Sequence, residues 1–171
     1  MQLQIMYQDE AIFGRINKMR SSWAPLGVRP NIPQQQVREC IHAYGATSPI
    51  DGEHFFMALP QSNTKCMNIF LEELSAAYSN KFIALICDNA SWHKSKELVI
   101  PDNIKIIHIP ACTPEMNPIE QVWSKIRELG FANHFFPSLD LVLDRLFHTV
   151  QSLDNDLVRS IVYRGFLDIS V

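Results

Sequence analysis

The sequence has no closely spaced cysteines. Cys40, Cys66, Cys87 and Cys112 lie 26, 21 and 25 positions apart. No C-x-x-C pair exists to begin a tetrahedral zinc site. Without a secretory signal, cysteines this dispersed read as buried free thiols in a reducing compartment, not as a disulfide framework. No apolar run approaches the roughly 20 residues needed to span a bilayer. The opening Met1-Gln2-Leu3-Gln4-Ile5-Met6 has neither a basic start nor a long apolar core, which excludes a signal peptide. A cytoplasmic chain with no membrane partner is therefore expected. Internal repeats and low-complexity segments are absent. So is a basic surplus: 15 Lys and Arg stand against 18 Asp and Glu, a formal net charge of −3. Taken whole, that balance argues against a nucleic-acid binder.

What is present is a globular composition. Hydrophobic residues make up 47% and charged residues 19%, which excludes disorder. A chain of 171 residues suits one domain and can bury roughly 68–70% of its unfolded surface. Leu3–Tyr7 alternates and then stops at Gln8-Asp9-Glu10, predicting a short strand. Residues 11–38, with Pro25, Pro30, Pro33, Gly14 and Gly27, read as hairpin and loop. Val37–Ser48 and Glu53–Leu59 are β-leaning runs joined by Pro49-Ile50-Asp51-Gly52, an antiparallel hairpin. Met67, Phe70, Leu71 and Leu74 have helical spacing, with Asn63 or Thr64 as cap. Phe82–Cys87 reads as a strand buried on both faces. A short helix over Lys94–Leu98 and a second buried strand, Ile104–Ile109, follow. Ile119, Val122, Trp123 and Ile126 keep helical period, as do Leu139–Val150 after Ser138, and Leu157–Val162. This order predicts an α/β fold with a mixed sheet flanked by helices.

Ligands of such sheets bind beyond the carboxyl ends of parallel strands, and two acids stand there. Asp9 follows the first strand and Asp88 follows Phe82–Cys87; Glu120 opens the helix after Pro118. Three converging carboxylates suit Mg²⁺ or Mn²⁺, two of which can clamp the attacking and leaving oxygens of a phosphodiester. Each acid also has a structural reading. Asp88-Asn89 suits a turn. Asn117, Pro118 and Glu120 fit N-cap, N1 and the capping-box position. Asp9 and Glu10 are nearly interchangeable on sequence alone.

Tyr7-Gln8-Asp9-Glu10, followed by Ser22-Trp23-Ala24-Pro25 with Gly27, Arg29 and Pro30, resembles the opening of mariner-like bacterial insertion-sequence transposases of the DDE superfamily. Asp88-Asn89-Ala90 with His93-Lys94-Ser95 resembles the family's second motif. Pro110 and Thr113-Pro114-Glu115-Met116-Asn117-Pro118-Ile119-Glu120 with Trp123 resemble its third. The resemblance runs from about residue 4 to residue 150, and the 32 positions from Asp88 to Glu120 suit this branch. It implies a ribonuclease-H-like (retroviral-integrase-like) fold over a single catalytic domain, residues 1–171. It implies that Asp9, Asp88 and Glu120 are catalytic and metal-binding, with Mg²⁺ or Mn²⁺, two ions, as cofactor. It further implies cleavage of transposon-end DNA and strand transfer into target DNA. Partners expected on that ground are double-stranded DNA, a second copy of the chain, and a separately encoded N-terminal DNA-binding segment. The helix-turn-helix region the family carries upstream is absent from this chain, and a nucleoid-associated location is expected. Ala111-Cys112 departs from the pair the family often shows there.

The charge, resolved along the chain, then reads differently. Residues 11–38 contain no Asp or Glu and carry Arg15, Lys18, Arg20, Arg29 and Arg38, a basic stretch suited to phosphates. Arg15, Lys18, Arg20, Arg29, Trp23, His93 and Lys94 are candidate DNA contacts, Trp23 by stacking on a base. Each has a plain alternative: a solvated loop for the basic residues, an anchor for Trp23, capping or packing for His93. Trp123 reads as core, and Lys125 and Arg127 as a solvated face. Ser91, His93 and Asp88 do not make a hydrolase triad, because no G-x-S-x-G elbow exists. Two rivals share the expected fold: a non-catalytic remnant or interaction module, and a structure-specific nuclease that cuts without joining.

Overall fold

The computed structural model describes residues 2–16, 23–28, 35–110 and 117–163. Five strands form one sheet in the order β3-β2-β1-β4-β5. They are β1 (Gln2–Gly14), β2 (Cys40–Thr47), β3 (His54–Leu59), β4 (Lys81–Cys87) and β5 (Ile104–His108). The first three pair antiparallel, whereas β4 joins β1, and β5 joins β4, in parallel. The parallel strands follow helical or irregular crossovers, as parallel pairing requires. Helix α1 (Thr64–Ala77) covers one face of the sheet, and α2 (Ile119–Gly130), α3 (Leu139–Gln151) and α4 (Asn155–Val162) cover the other. This is the expected ribonuclease-H-like mixed sheet flanked by helices.

Two hydrophobic clusters result, one on each face. Met67, Phe70, Leu71 and Leu74 turn the apolar stripe of α1 onto Met6, Tyr44, Ile83 and Leu85. Val122, Trp123 and Ile126 of α2 meet Ala11, Phe13 and Ala43 together with Val142, Leu146 and Val158. Helices α1, α3 and α4 each start at a side-chain cap. Asn63, Ser138 and Asp154 accept the backbone N–H three residues on, at 2.9, 3.4 and 2.7 Å, satisfying donors that the helix leaves free. Gly52 holds a positive φ of 74° in the β2–β3 turn, a conformation that suits glycine.

Several expectations are corrected. The first strand does not end at its polar stop but runs to Gly14, because β2 pairs with it from Tyr7 to Gly14. The strand β4 is buried on the α1 face at Ile83, Leu85 and Cys87, with alternate residues half-buried. The strand β5 is a sheet edge, and Ile107 is exposed. In place of a helix over Lys94–Leu98 there is a 3₁₀ turn, Ser91–His93. Cys40 is exposed, while Cys66 and Cys87 are buried thiols; Cys112 lies outside the described residues. Among the described residues no helix is long and apolar enough to cross a membrane.

Candidate active site

The parallel register of β1 and β4 sets Tyr7 beside Ile86. Two residues further along each strand, Asp9 and Asp88 come level. Asp9 is not at a strand end: it stands where β1 outruns β4 while remaining paired with β2, opposite Gly45. Successive strand residues face opposite ways. Asp9 therefore shares the α2 face with Ala11 and Phe13, and Glu10 turns to the α1 face. Sequence alone could not rank these two acids; the pleat separates them.

On the α2 face, Trp123 donates its indole Nε1–H to Asp9 Oδ2 at 3.1 Å. Gly45 makes that approach possible. A Cβ on Gly45 would lie 2.7 Å from both the Trp123 and Phe56 rings, closer than packed carbon atoms allow. Burial pushes the Asp9 carboxyl up to about 7, and Glu10, Asp88 and Glu120 add to the rise, against a lowering backbone hydrogen bond at Glu10. The charges that bear on Asp9 are thus all negative.

Glu120 lies in the first turn of α2, exposed. The capping-box alternative fails on geometry. Pro118 is the N-cap and has no side-chain cap bond, while Asn117 points elsewhere and donates Nδ2–H to the Gln8 carbonyl at 3.0 Å. Asn117 thereby ties the start of α2 to the backbone beside Asp9. The Glu120 carboxylate makes no hydrogen bond among the described residues, and its charge is felt at Asp9.

On the opposite face, Glu10 is nearly sealed. Its Oε1 accepts from Gln8 Nε2 at 2.9 Å, Trp92 Nε1 at 3.3 Å and His93 Nε2 at 3.0 Å. The other His93 nitrogen, Nδ1, lies 2.9 Å from Asp88 Oδ1. Burial alone would lower the His93 pKa, but the hydrogen bond to Glu10 and the charges of Glu10 and Asp88 outweigh it and raise it. The expected phosphate contact of His93 is corrected here: its side chain is 0% exposed, and both ring nitrogens are engaged inside the fold. Neither bonds Ser91, so the hydrolase arrangement is absent as well.

Arg15 is corrected in the same way. Its guanidinium bonds Glu39 at 2.7 Å and the Phe136 carbonyl at 3.0 Å, so it clamps the segment before β2. Trp23 is fully exposed and anchors nothing in its own domain, and Lys94 is exposed. Lys18, Arg20 and Arg29, and the motif residues Thr113–Met116, lie outside the described residues. The contacts of Glu10 and of the Trp123 indole at the candidate site are what sequence reasoning missed. The signal for Trp123 was its position three residues after Glu120, on the same helical face.

The donor set fits a hard divalent cation. Asp9, Asp88 and Glu120 offer only oxygen, and Asp9 carries the repulsion of its neighbours with no cation to offset it. Among the described residues no three His, Cys, Asp or Glu side chains already enclose a metal position. Oxygen-only donors of this kind suit Mg²⁺, which takes one or two carboxylates and completes its shell with water and substrate oxygens.

Solved structures share this fold. The Mos1 strand transfer complex aligns over 93% of this chain and 50% of its own, with a TM-score of 0.71 at 16% identity. The Mos1 mariner paired-end complex with Mn aligns over 93% and 51%, also at 0.71 and 16%. In sequence, the IS630 insertion element 39 kDa protein of Shigella sonnei is 25% identical over 157 residues, covering 87% of this chain and 45% of that protein. Protein y4pE/y4sA of Sinorhizobium fredii is 34% identical over 100 residues, 58% of this chain and 74% of that one. The chain thus spans about half the length of the Mos1 and IS630 proteins. Residues 4–142 match the profile of the DDE superfamily endonucleases. That match begins on β1, includes Asp9 and Asp88 and runs past Glu120, and by it the chain belongs to the DDE superfamily endonuclease family.

Proposed function

We propose that this chain is the catalytic domain of a DNA transposase, in which Asp9, Asp88 and Glu120 are the catalytic and metal-binding residues. The observation that carries the reading is the level placement of Asp9 and Asp88 at the mouth between β1 and β4, with the Asp9 carboxyl pushed up to about 7 beside two further acids. A group left so unfavourably charged in the free protein suits a site completed by a cation. The Mos1 complexes with transposon ends, and those with Mn and Mg, support the same reading for partner and cofactor.

Asp9 and Asp88 would hold the divalent ions, with Glu120 closing the site from α2. Divalent ions held there would supply Lewis-acid charge to the reacting phosphodiester. The chain's own residues do the positioning. Trp123 holds one oxygen of Asp9, Asn117 fixes α2 against β1, and the half-exposed Asp88 faces solvent where a phosphodiester can approach. In the first step a water oxygen bonds to phosphorus and the bridging P–O3′ bond breaks, leaving a 3′ hydroxyl and a 5′ phosphate. In the second, that hydroxyl oxygen attacks a target-strand phosphorus and displaces another 3′ oxygen. Exposed Trp23 and Lys94, with the basic stretch containing Lys18, Arg20 and Arg29, would lie against double-stranded DNA. We assign the chain to a dimer that pairs two ends, with a separately supplied N-terminal segment recognising the end sequence. On this reading it would work at the nucleoid.

The test is Mg²⁺-dependent cleavage of cognate transposon ends, with the N-terminal segment fused or added in trans. Asp88→Ala is expected to lose activity by roughly three orders of magnitude or more while folding normally. Cleavage by that variant at the wild-type rate sinks the assignment, and a wild type that neither cuts nor joins makes the chain a non-catalytic module. Cutting without strand transfer makes it a nuclease.

A further inference from the structure

The two oxygens of Asp88 live in different surroundings. Oδ1 accepts the backbone N–H of Ala90 at 2.9 Å and lies 2.9 Å from His93 Nδ1. Nδ1 also donates to the Asp88 backbone carbonyl at 3.3 Å, so the imidazole grips Asp88 at both its backbone and Oδ1. Oδ2 has no hydrogen bond among the described residues, and the Asp88 side chain is 50% exposed. One oxygen faces the protein and the other faces out.

What fixes Oδ1 is itself fixed. The 3₁₀ turn folds His93 back toward Asp88, with its own N–H bonded to the Ala90 carbonyl at 3.1 Å. The far ring nitrogen meets Glu10 Oε1 at 3.0 Å. Glu10 is in turn held by Gln8 at 2.9 Å and Trp92 at 3.3 Å. The imidazole therefore spans from β1 to the end of β4 with neither ring nitrogen idle and no surface exposed. A side chain needed only for packing would not require a polar partner at each end, and burying one without partners costs stability. Asp9 is treated alike on the other face of the sheet, with the Trp123 indole clamping Oδ2.

We propose that Glu10 and His93 form a buried strut that positions Asp88, locking Oδ1 into the protein so that Oδ2 alone is presented to a divalent cation. His93 is a positioning residue in this scheme, since it acts through Asp88 and touches neither metal nor DNA. The inference rests on the active-site reading above. It adds a specific claim to it: the donor at Nδ1, not the bulk of the ring, is what matters. Metal-ligating carboxylates depend on such outer partners, whose loss typically weakens metal affinity or activity 10–100-fold.

The test separates the two ring nitrogens by substitution. The amide nitrogen of Asn falls near the Nδ1 position and that of Gln near Nε2. Mn²⁺ affinity of the 171-residue chain is measured by electron paramagnetic resonance titration of free Mn²⁺ at constant pH. Wild type, Asp88→Ala, His93→Asn and His93→Gln are compared, with the metal-free unfolding midpoint of each recorded alongside. His93→Gln is expected to bind Mn²⁺ about 10–100-fold more weakly, and His93→Asn to recover most of that loss. Wild-type affinity in His93→Gln overturns the strut. So does equal weakening in both variants that tracks their unfolding midpoints, which is the signature of packing alone. If His93→Gln does not fold, Glu10→Gln keeps the shape and weakens the far anchor; unchanged Mn²⁺ affinity there overturns the proposal. A wild type that binds Mn²⁺ no better than Asp88→Ala overturns the active-site reading itself, and the strut with it. Weak binding by Asp88→Ala together with wild-type affinity in His93→Gln leaves the site standing and removes only the strut.

Discussion

Asp9 and Glu10 are consecutive carboxylates on one strand, and the protein treats them in opposite ways. Glu10 enters the α1 face, where three N–H donors gather on one oxygen. Asp9 enters the α2 face, where a single indole meets it and the neighbouring charges repel it. The pleat of β1 is the whole cause of the difference. Chemical identity therefore says little about which acid works and which supports. The deciding quantity is how completely the fold has already satisfied the charge. Glu10, provided with donors, reads as scaffolding, whereas Asp9, held among like charges, is the acid we assign to a cation.

The contrast breaks most sharply at Asp9. Its folded pKa of about 7 lies above the ordinary carboxyl value of 3.8, so the native state holds a proton that the unfolded chain releases. In metal-free protein this contribution is fully present below about pH 4 and is lost as the pH rises through about 7, on the order of a few kcal/mol. Asp9→Asn is expected to remove that pH dependence and to be the more stable protein at pH 8, while losing the DNA cleavage proposed above. Urea denaturation in EDTA at pH 4, 6 and 8 reads the difference. A variant less stable than wild type at pH 8 contradicts the account of Asp9 as a strained group.

Glu10→Ala is expected to do the reverse. It strands three buried donors, and should destabilise by about 2–4 kcal/mol, measured the same way at pH 7. A neutral effect there would erase the distinction between the two acids. Trp123→Phe sharpens the contrast with the smallest change. The ring still fills its place between Phe13 and Phe56, but the donor to Asp9 is gone. We expect about 1 kcal/mol of stability lost and cleavage slowed about tenfold. Full activity in Trp123→Phe would mean that Asp9 needs no orientation from α2.

Much of the fold was legible because periodicity reports burial directly. The spacing of Met67, Phe70, Leu71 and Leu74 is that of a helix with one buried face, and all four are buried. What escaped depended on neighbours far along the chain. The extension of β1 to Gly14 exists because β2 lies beside it, and the exposure of β5 follows from its place at the sheet edge. The same holds at the candidate site. Asp9 and Asp88 were visible as acids beside strands, whereas the role of Glu10 appears only once His93, 83 positions away, folds against it. Arg15 read as a DNA contact until Glu39 and Phe136 were seen to occupy it. Local motifs locate chemistry, while tertiary partners decide which groups remain available for it.

The strand order carries a consequence in time. The strand β1 is central, with β2 and β3 on one side and β4 and β5 on the other. As the chain leaves the ribosome, β1, β2 and β3 emerge first and can pair as a local meander. That half-sheet contains Asp9 and nothing to set beside it. Asp88 arrives only when β4 docks in parallel, a long-range closure of the kind that forms slowly, and Glu120 follows with α2. No shorter nascent chain holds the three acids together. On the proposed reading, the capacity to cut would arise only once β4 and α2 have joined the first three strands.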